Sequence, residues 1–382
     1  MPFYYSIKDE PPEVRRRTAK GLLALRNQLA DENVPSRTIS DKLLLATWNL
    51  REFDSSKYGK RTNEALHYIA EIISHFDIVA IQEVREDLSA LDQVQKMLGG
   101  WWKYIVTDVT QGTSGNGERM AFIFDGRKVT FGGLAGEVVI PPLHDEPQLQ
   151  FARTPFICGF RAGWVKFNLC TVHIYYGKAV ANDQRRVEEI SDIAEFLAKR
   201  GKPGQDQPAS PDGKITPAPA RTPENIVLLG DFNIFKREDR TFEGLTDAGF
   251  VIPDEMRRLQ GSNLGQSKFF DQIAILKRDD RFETTGRAGV FNYSKSVFRD
   301  DEEAAYVEAM GEDYAKKAEG PERGQYYRDW RTYQISDHLL LWCELKIDFG
   351  PEYLTRLMEA AAEAASGDDR NGDDGNEDPV AD

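Results

Sequence analysis

The chain has 382 residues, three cysteines and a formal net charge of −14, with 40% apolar and 11% aromatic content. That apolar share is enough for a substantial core in one large domain or two ordinary ones, and it excludes a wholly disordered chain. By itself the acidity argues against a polyanionic partner, but the last seventeen residues alone contribute −6 and FRDDEEAAYVEAMGEDYAKKAEG is a second acidic block, so elsewhere the balance is milder. No run approaches the roughly eighteen apolar residues of a membrane span, so stable membrane association is not expected.

The first residues, MPFYYSIKDEPPEVRRR, are charged within ten positions and lack the apolar centre of a signal peptide, which leads to the expectation of a cytoplasmic or otherwise intracellular protein. Residues 12–30 alternate apolar and basic positions at helical spacing and predict an amphipathic helix within an N-terminal extension, residues 1–40. From Asp41 to residue 349 short apolar runs alternate with helical patterns. KLLLATWNL, DIVAIQEV, RMAFIFD, GWVKFNLCTVHI, NIVLLGDFNIF, DQIAIL and HLLLWCEL are the predicted strands, and residues 62–75 and 182–200 the clearest helices. Near-continuous apolar strands suit sheets covered on both faces, so a layered α/β or α+β domain is expected. Residues 200–224 are rich in Pro, Gly and Ser and predict a mobile insertion at about 201–223. Residues 350–365 read as a C-terminal helix, and 366–382, with seven acids and one arginine, as a disordered acidic tail. Cys158, Cys170 and Cys343 show no CxxC spacing and lie in apolar stretches, so buried thiols are expected.

The polar residues that interrupt these strands carry the functional signal. IVLLGDFNIF, residues 226–235, runs apolar to Asp231 and sets Asn233 two positions on. A buried carboxylate is costly unless paired or bound to a metal; a plain strand-end turn is the alternative. LATWNLREFD ends a strand with Asn49, VAIQEVRED ends one with Glu83, and TVHIYYG places His173 in another. FFDQIAI begins a strand with Asp271, and QISDHLLLW sets Asp337 and His338 at the head of the last. Carboxylates, two histidines and two amides together are what hard-metal phosphate chemistry needs.

From about Leu43 to Leu345 this series resembles the endonuclease/exonuclease/phosphatase superfamily, with six motifs in family order. The resemblance implies two packed, mostly antiparallel β-sheets flanked by helices, a four-layer sandwich with the site at one edge. Within the superfamily the chain looks most similar to deoxyribonuclease I. NLREF, IQEVRED and FARTPF resemble its segments and carry over Arg51, Arg85 and Arg153 as phosphate or groove contacts. The disulfides of the secreted deoxyribonucleases are missing.

The implied activity is metal-dependent hydrolysis of a phosphodiester by in-line attack of water, with DNA as the expected partner. Glu83, Asn49 and Asp337 are the expected metal ligands, and all-oxygen ligation favours Mg²⁺ or Mn²⁺ over zinc. Residues i and i+2 of an extended segment project to one side, so Asp231 and Asn233 are both expected to reach one phosphate and its attacking water. By resemblance, His338 is held by Asp271 and His173 by Glu118; the water's proton goes to Asp231 or to His338. His67, His75 and His144 fall outside the motifs and are expected at the surface or in packing. Two other readings stand beside this one: a phosphatase or phosphodiesterase of the same fold acting on a lipid or small molecule, and a catalytically silent binding module.

Overall fold

The structure, a computed structural model, describes residues 2–55, 57–110, 117–140, 150–200, 225–279 and 281–368, the side chains from 363 onward excepted. The predicted insertion at 201–223, His144 and the tail beyond 368 lie outside the described residues.

In chain order the helices are α1 (Pro12–Asp31), α2 (Asn63–Ile73), α3 (Ser89–Leu98), α4 (Gln184–Arg200), α5 (Arg240–Asp247), α6 (Asp254–Arg257), α7 (Val307–Ala315), α8 (Pro321–Gln334) and α9 (Gly350–Asp368). The strands are β1 (Lys42–Phe53), β2 (Ile78–Val84), β3 (Trp102–Val106), β4 (Arg119–Asp125), β5 (Thr130–Glu137), β6 (Phe156–Ala162), β7 (Val165–His173), β8 (Asn225–Asp231), β9 (Asp271–Leu276), β10 (Thr284–Phe291) and β11 (Leu340–Lys346). They form one sheet in the order β10-β11-β1-β2-β4-β3 and another in the order β5-β6-β7-β8-β9. Only β1/β2 and β7/β8 pair in parallel, so the sheets are mostly antiparallel, as expected.

Strand periodicity builds the layers. Leu43 and Leu45 of β1 face the core between the sheets with Ile78, Ala80 and Phe122, while Leu44, Ala46, Trp48 and Leu50 face the helices with Val79 and Ile81. Helices α1, α2 and α3 cover the outer face of the first sheet, and α4 and α5 cover the second through Ile190, Ile193, Leu197 and Leu245. The four-layer sandwich is therefore present. Helix α1 starts on Pro12, where a missing N–H costs nothing. Its Arg17 and Arg26 pair with the buried Glu64 and Glu71 of α2 at 2.6 and 2.8 Å, so the N-terminal helix is fastened to the domain.

Four strands go beyond those predicted. β3, β5 and β10 are edge strands, and the TFGGLAGE and TTGRAGVF segments of β5 and β10 carry glycine and polar residues that hide a strand pattern. β6 contains Gly159, where a Cβ would stand 3.0 Å from Asn168 Oδ1 and 3.2 Å from Leu134 Cβ, so close packing rather than turn formation explains that glycine. All three cysteines are buried and free. Among the described residues no helix is long and apolar enough to cross a membrane.

The topology explains why distant polar residues meet. The parallel pairs β1/β2 and β7/β8 end at the same edge of the sandwich. β4, β9 and β11 run antiparallel to their neighbours and therefore begin there. Strand-end residues Asn49, Glu83, His173 and Asp231 are thereby brought beside strand-start residues Glu118, Asp271 and His338.

Candidate active site

The backbone at this edge departs from regular strand geometry. The β1/β2 register shifts between Asn49 and Phe53, and the β2/β4 register between Ile81 and Val84. Such bulges re-aim side chains at sheet ends. Glu83, Glu52 and Asn233 have φ of 61°, 40° and 53°, a left-handed conformation that costs of order 1–3 kcal/mol for a residue with a Cβ. The strain is repaid locally: Glu52 N–H donates to Glu83 Oε2 at 2.7 Å, and Asn233 N–H donates to Asp231 Oδ1 at 2.9 Å.

Three adjacent strands place His173, Asp231 and Asp271 in one register row. Asp231 is buried, and its Oδ2 accepts a hydrogen bond from Asn49 Nδ2 at 3.0 Å, across the gap between the sheets. Both imidazoles turn Nε2 towards the same oxygen, His173 at 3.5 Å and His338 at 3.7 Å. These separations exceed a good direct hydrogen bond and suit an intervening oxygen atom. Asn49 Nδ2 also donates to Glu83 Oε1 at 2.8 Å, which leaves the buried Asn49 Oδ1 with no hydrogen-bond partner.

Each histidine is backed by a carboxylate on its other nitrogen. His338 Nδ1 lies 2.8 Å from Asp271 Oδ2 in a hydrogen bond. Burial by itself would lower the His338 pKa, but Asp271 and Asp231 reverse that and hold it well above the ordinary imidazole value. His173 Nδ1 lies 2.8 Å from Glu118 Oε2, as an ion pair without the alignment of a hydrogen bond. Its pKa is also raised: burial and Arg153 oppose the charge, and Glu118 and Asp231 outweigh them. Burial would raise the Glu118 pKa, yet His173 and Arg153 pull it down to about 2. Glu83 is pushed up, first by burial and then by the neighbouring charges of Glu118 and Asp337, with His173 opposing.

All twelve site residues expected from the sequence gather here, but three do so differently. Ten of them, with Glu52, Tyr176 and Phe270, line an open cleft of about 530 Å³. Asn49 and Asp271 lie behind that wall, supporting Glu83, Asp231 and His338. The same-side argument for Asp231 and Asn233 fails, because β8 stops at Asp231 and the left-handed Asn233 closes a turn. Its Nδ2 donates to Ile174 O at 2.8 Å. Arg153 directs Nε and Nη2 to Glu118 at 3.0 and 3.1 Å, so its grip is on the carboxylate behind His173. Arg51 lies over the Tyr333 ring at 4.2 Å, donates to Thr332 Oγ1 and stands 3.7 Å from Asp337 Oδ2. Arg85 is on the cleft wall.

The sequence reading missed several contributors. Ser336 Oγ donates to Asn49 O at 2.5 Å and accepts from the N–H of His338 at 2.9 Å, tying two motifs together. It stands in the same SDH triplet as Asp337 and His338, which was the available signal. Phe270 stacks on His338 with centroids 5.3 Å apart, and its place beside Asp271 was legible. Glu52 and Tyr176 carried no signal, since their roles depend on a bulge and a loop. Of the histidines outside the motifs, His67 is fully buried with Nε2 2.8 Å from Ser6 Oγ, and His75 is a half-buried partner of Glu71.

Several solved structures are similar to this chain. An endonuclease/exonuclease/phosphatase family protein from Bacteroides thetaiotaomicron is 18% identical with a TM-score of 0.50, over 81% of this chain and 98% of its own. The mannosyl-6-phosphatase of B. thetaiotaomicron VPI-5482 is 18% identical with a TM-score of 0.49, over 79% and 99%. TDP2 of D. rerio, complexed with a single-strand DNA product, is 14% identical with a TM-score of 0.48, over 80% and 98%. At these identities the likeness concerns the fold alone. Comparison with curated proteins gave no match. Residues 46–293, well over half of the chain, match the Endonuclease/Exonuclease/phosphatase family. The strand-end motifs and the sandwich that gathers them agree with that match, and the chain belongs to this family of phosphoester hydrolases.

Proposed function

We propose that the protein is a metal-dependent phosphodiesterase, an endonuclease that cleaves DNA by in-line attack of water. One observation carries this reading: both imidazole Nε2 atoms converge on Asp231 Oδ2, at 3.5 and 3.7 Å. The arrangement suits a water that gives its proton to Asp231 while a phosphate faces two imidazoles whose protonated form is favoured by Asp271, Glu118 and Asp231. His338 and His173 then offer N–H groups to the negative charge that grows on the phosphoryl oxygens and the leaving oxygen. Asp271 and Glu118 hold the two rings from the Nδ1 side and favour their protonated form.

The donor set fits a hard divalent cation. Glu83 and the unpartnered Asn49 Oδ1 would supply oxygen ligands, with Asp337 as a further carboxylate on the rim. Among the described residues no three His, Cys, Asp or Glu side chains stand together as a group that would hold a metal ion by themselves. Carboxylate and amide oxygens are the donors of Mg²⁺ or Mn²⁺, which is held by one or two carboxylates and completes its shell with water and phosphate. When bound, such a cation supplies charge neutralisation at the phosphoryl group.

One observation favours a second reading, a phosphatase or phosphodiesterase acting on a smaller phosphoester. Among the arginines assigned to a nucleic-acid backbone, Arg153 pairs with Glu118 and Arg51 stands near Asp337. Supercoiled plasmid DNA with Mg²⁺, run beside a set of small phosphomonoesters, tests both. Nicking that EDTA stops is expected; phosphate release without nicking decides for the second reading.

A further inference from the structure

The chain between His173 and α4, IYYGKAVAND, has little regular structure, yet two buried side chains of α4 bind its backbone. Arg186 is fully buried. Its Nε donates to Tyr175 O at 3.0 Å, its Nη1 to Val180 O at 2.9 Å and Ala181 O at 3.3 Å, and its Nη2 to Tyr176 O. Glu189, one turn further on, is 5% exposed and accepts the Tyr175 N–H at 3.0 Å on Oε2. Its Oε1 accepts the Ala152 N–H at 3.0 Å, next to Arg153. Both polar groups of the Tyr175 backbone are thus held from α4, two residues after His173. Gly177 completes the turn with φ of +65°, where a Cβ would come within 2.9 Å of Asp183 Oδ2.

The result of this clamp is the position of Tyr176. Its ring is 41% exposed, lines the cleft, and stands 6.1 Å from Phe235 and 6.4 Å from Phe270, the ring that stacks on His338. Arg186 lies 5.1 Å from the Phe235 ring on the inner side of the same wall.

We propose that Arg186 and Glu189 are positioning residues that hold Tyr176 as a preformed stacking surface for a nucleobase beside the cleaved phosphate. Stacking on an aromatic ring contributes to binding single-stranded nucleic acid without reading sequence, and a ring fixed beforehand lowers the ordering cost of binding. This inference rests on the nuclease reading of the site.

The test uses the full chain and Arg186→Lys, which keeps the charge but replaces a planar fork by a point donor that cannot serve four carbonyls. Amide hydrogen exchange over residues 174–181 should accelerate by at least about tenfold. With a short single-stranded DNA substrate, KM should rise about tenfold while kcat falls less than about threefold, since the lost contact is binding common to ground and transition states. Tyr176→Ala should give the same KM change, and the double variant should add little to it, because both remove one contact. Glu189→Gln, which turns one acceptor into a donor against an N–H, should repeat the pattern if Arg186→Lys does not fold. Unchanged exchange, an unchanged KM, or full additivity with Tyr176→Ala in a folded variant overturns the proposal. If the parent hydrolyses small phosphomonoesters but no DNA, the nuclease reading and the base-stacking role fall together. If in that case exchange still accelerates, the clamp itself stands as a device of the fold.

Discussion

Asp271→Asn removes a negative charge 2.8 Å from His338 Nδ1 and preserves the side chain's size. A hydrogen bond to a charged group contributes about 1.5–3 kcal/mol, so losing the charged partner should lower the His338 pKa. Asp231 remains 3.7 Å from Nε2, which keeps the drop from being larger. The folded-state pKa of His338 is raised, so its protonation stabilises the fold fully below the unfolded value of about 6.5 and ceases to do so as pH rises through the folded value. In the Asn variant this pH-dependent stability should shrink. The amide can also donate to Nδ1, which keeps that nitrogen unprotonated and the ring neutral, so the charge facing the phosphate is lost and kcat should fall about a hundredfold, the scale of one lost acid–base group. NMR titration of the His338 ring, with kcat measured against pH on the same samples, reads both effects. The basic limb of the kcat profile should move to lower pH along with the ring. An unmoved titration in a folded variant, or a kcat within about threefold of the parent, would refute the reasoning.

Other consequences follow from neighbouring contacts. Glu83→Gln keeps volume but removes a ligand charge, so activity should require a higher Mg²⁺ concentration while melting temperature holds; calorimetric titration with Mg²⁺ would expose the idea as wrong if affinity is unchanged. Glu118 is held at about 2 in the fold, against an unfolded value of about 4.3. It therefore stabilises the fold above that unfolded value and loses this effect as pH falls towards 2, so Glu118→Gln should flatten acid unfolding between about pH 5 and 2. Ser336→Ala leaves the His338 N–H and the Asn49 carbonyl without the bonds at 2.9 and 2.5 Å, and urea unfolding should show a loss of about 2–6 kcal/mol at about 1–3 kcal/mol per stranded group. A loss under about 0.5 kcal/mol would mean that other groups take over both bonds.

The site was legible in the sequence where a polar residue breaks an apolar strand, because burying such a residue without a purpose is costly. Asn49, Glu83, His173, Asp231 and Asp271 all announce themselves in that way. The pairing of His338 with Asp271 was expected by resemblance, and the structure adds that both histidines face one oxygen of Asp231. Local backbone geometry was not legible. The left-handed φ of Glu83 and Glu52 and the turn at Asn233 come from bulges and strand ends set by neighbouring strands, so extended geometry was the wrong reason for placing Asn233 beside Asp231, although both line the cleft. Arg153 was assigned to phosphate from its motif, whereas its partner Glu118 lies 35 positions away in sequence. Arg186 and Glu189 looked like ordinary members of an amphipathic helix, since nothing in their spacing tells which backbone they will hold. The edge strands β5 and β10 escaped because half-exposed glycine-containing strands lack the alternation that marks their neighbours.

Plasmid cleavage by the parent and by Asp231→Asn tests the central claim most directly. Asp231 Oδ2 is the point on which Asn49 and both imidazoles converge, so the substitution removes the proposed proton acceptor and leaves the surrounding packing in place. With Mg²⁺ the parent should nick supercoiled DNA and stop when EDTA is added. Asp231→Asn, shown to be folded by its melting curve, should be slower by at least about a hundredfold. Nicking by folded Asp231→Asn at close to the parental rate would contradict the account.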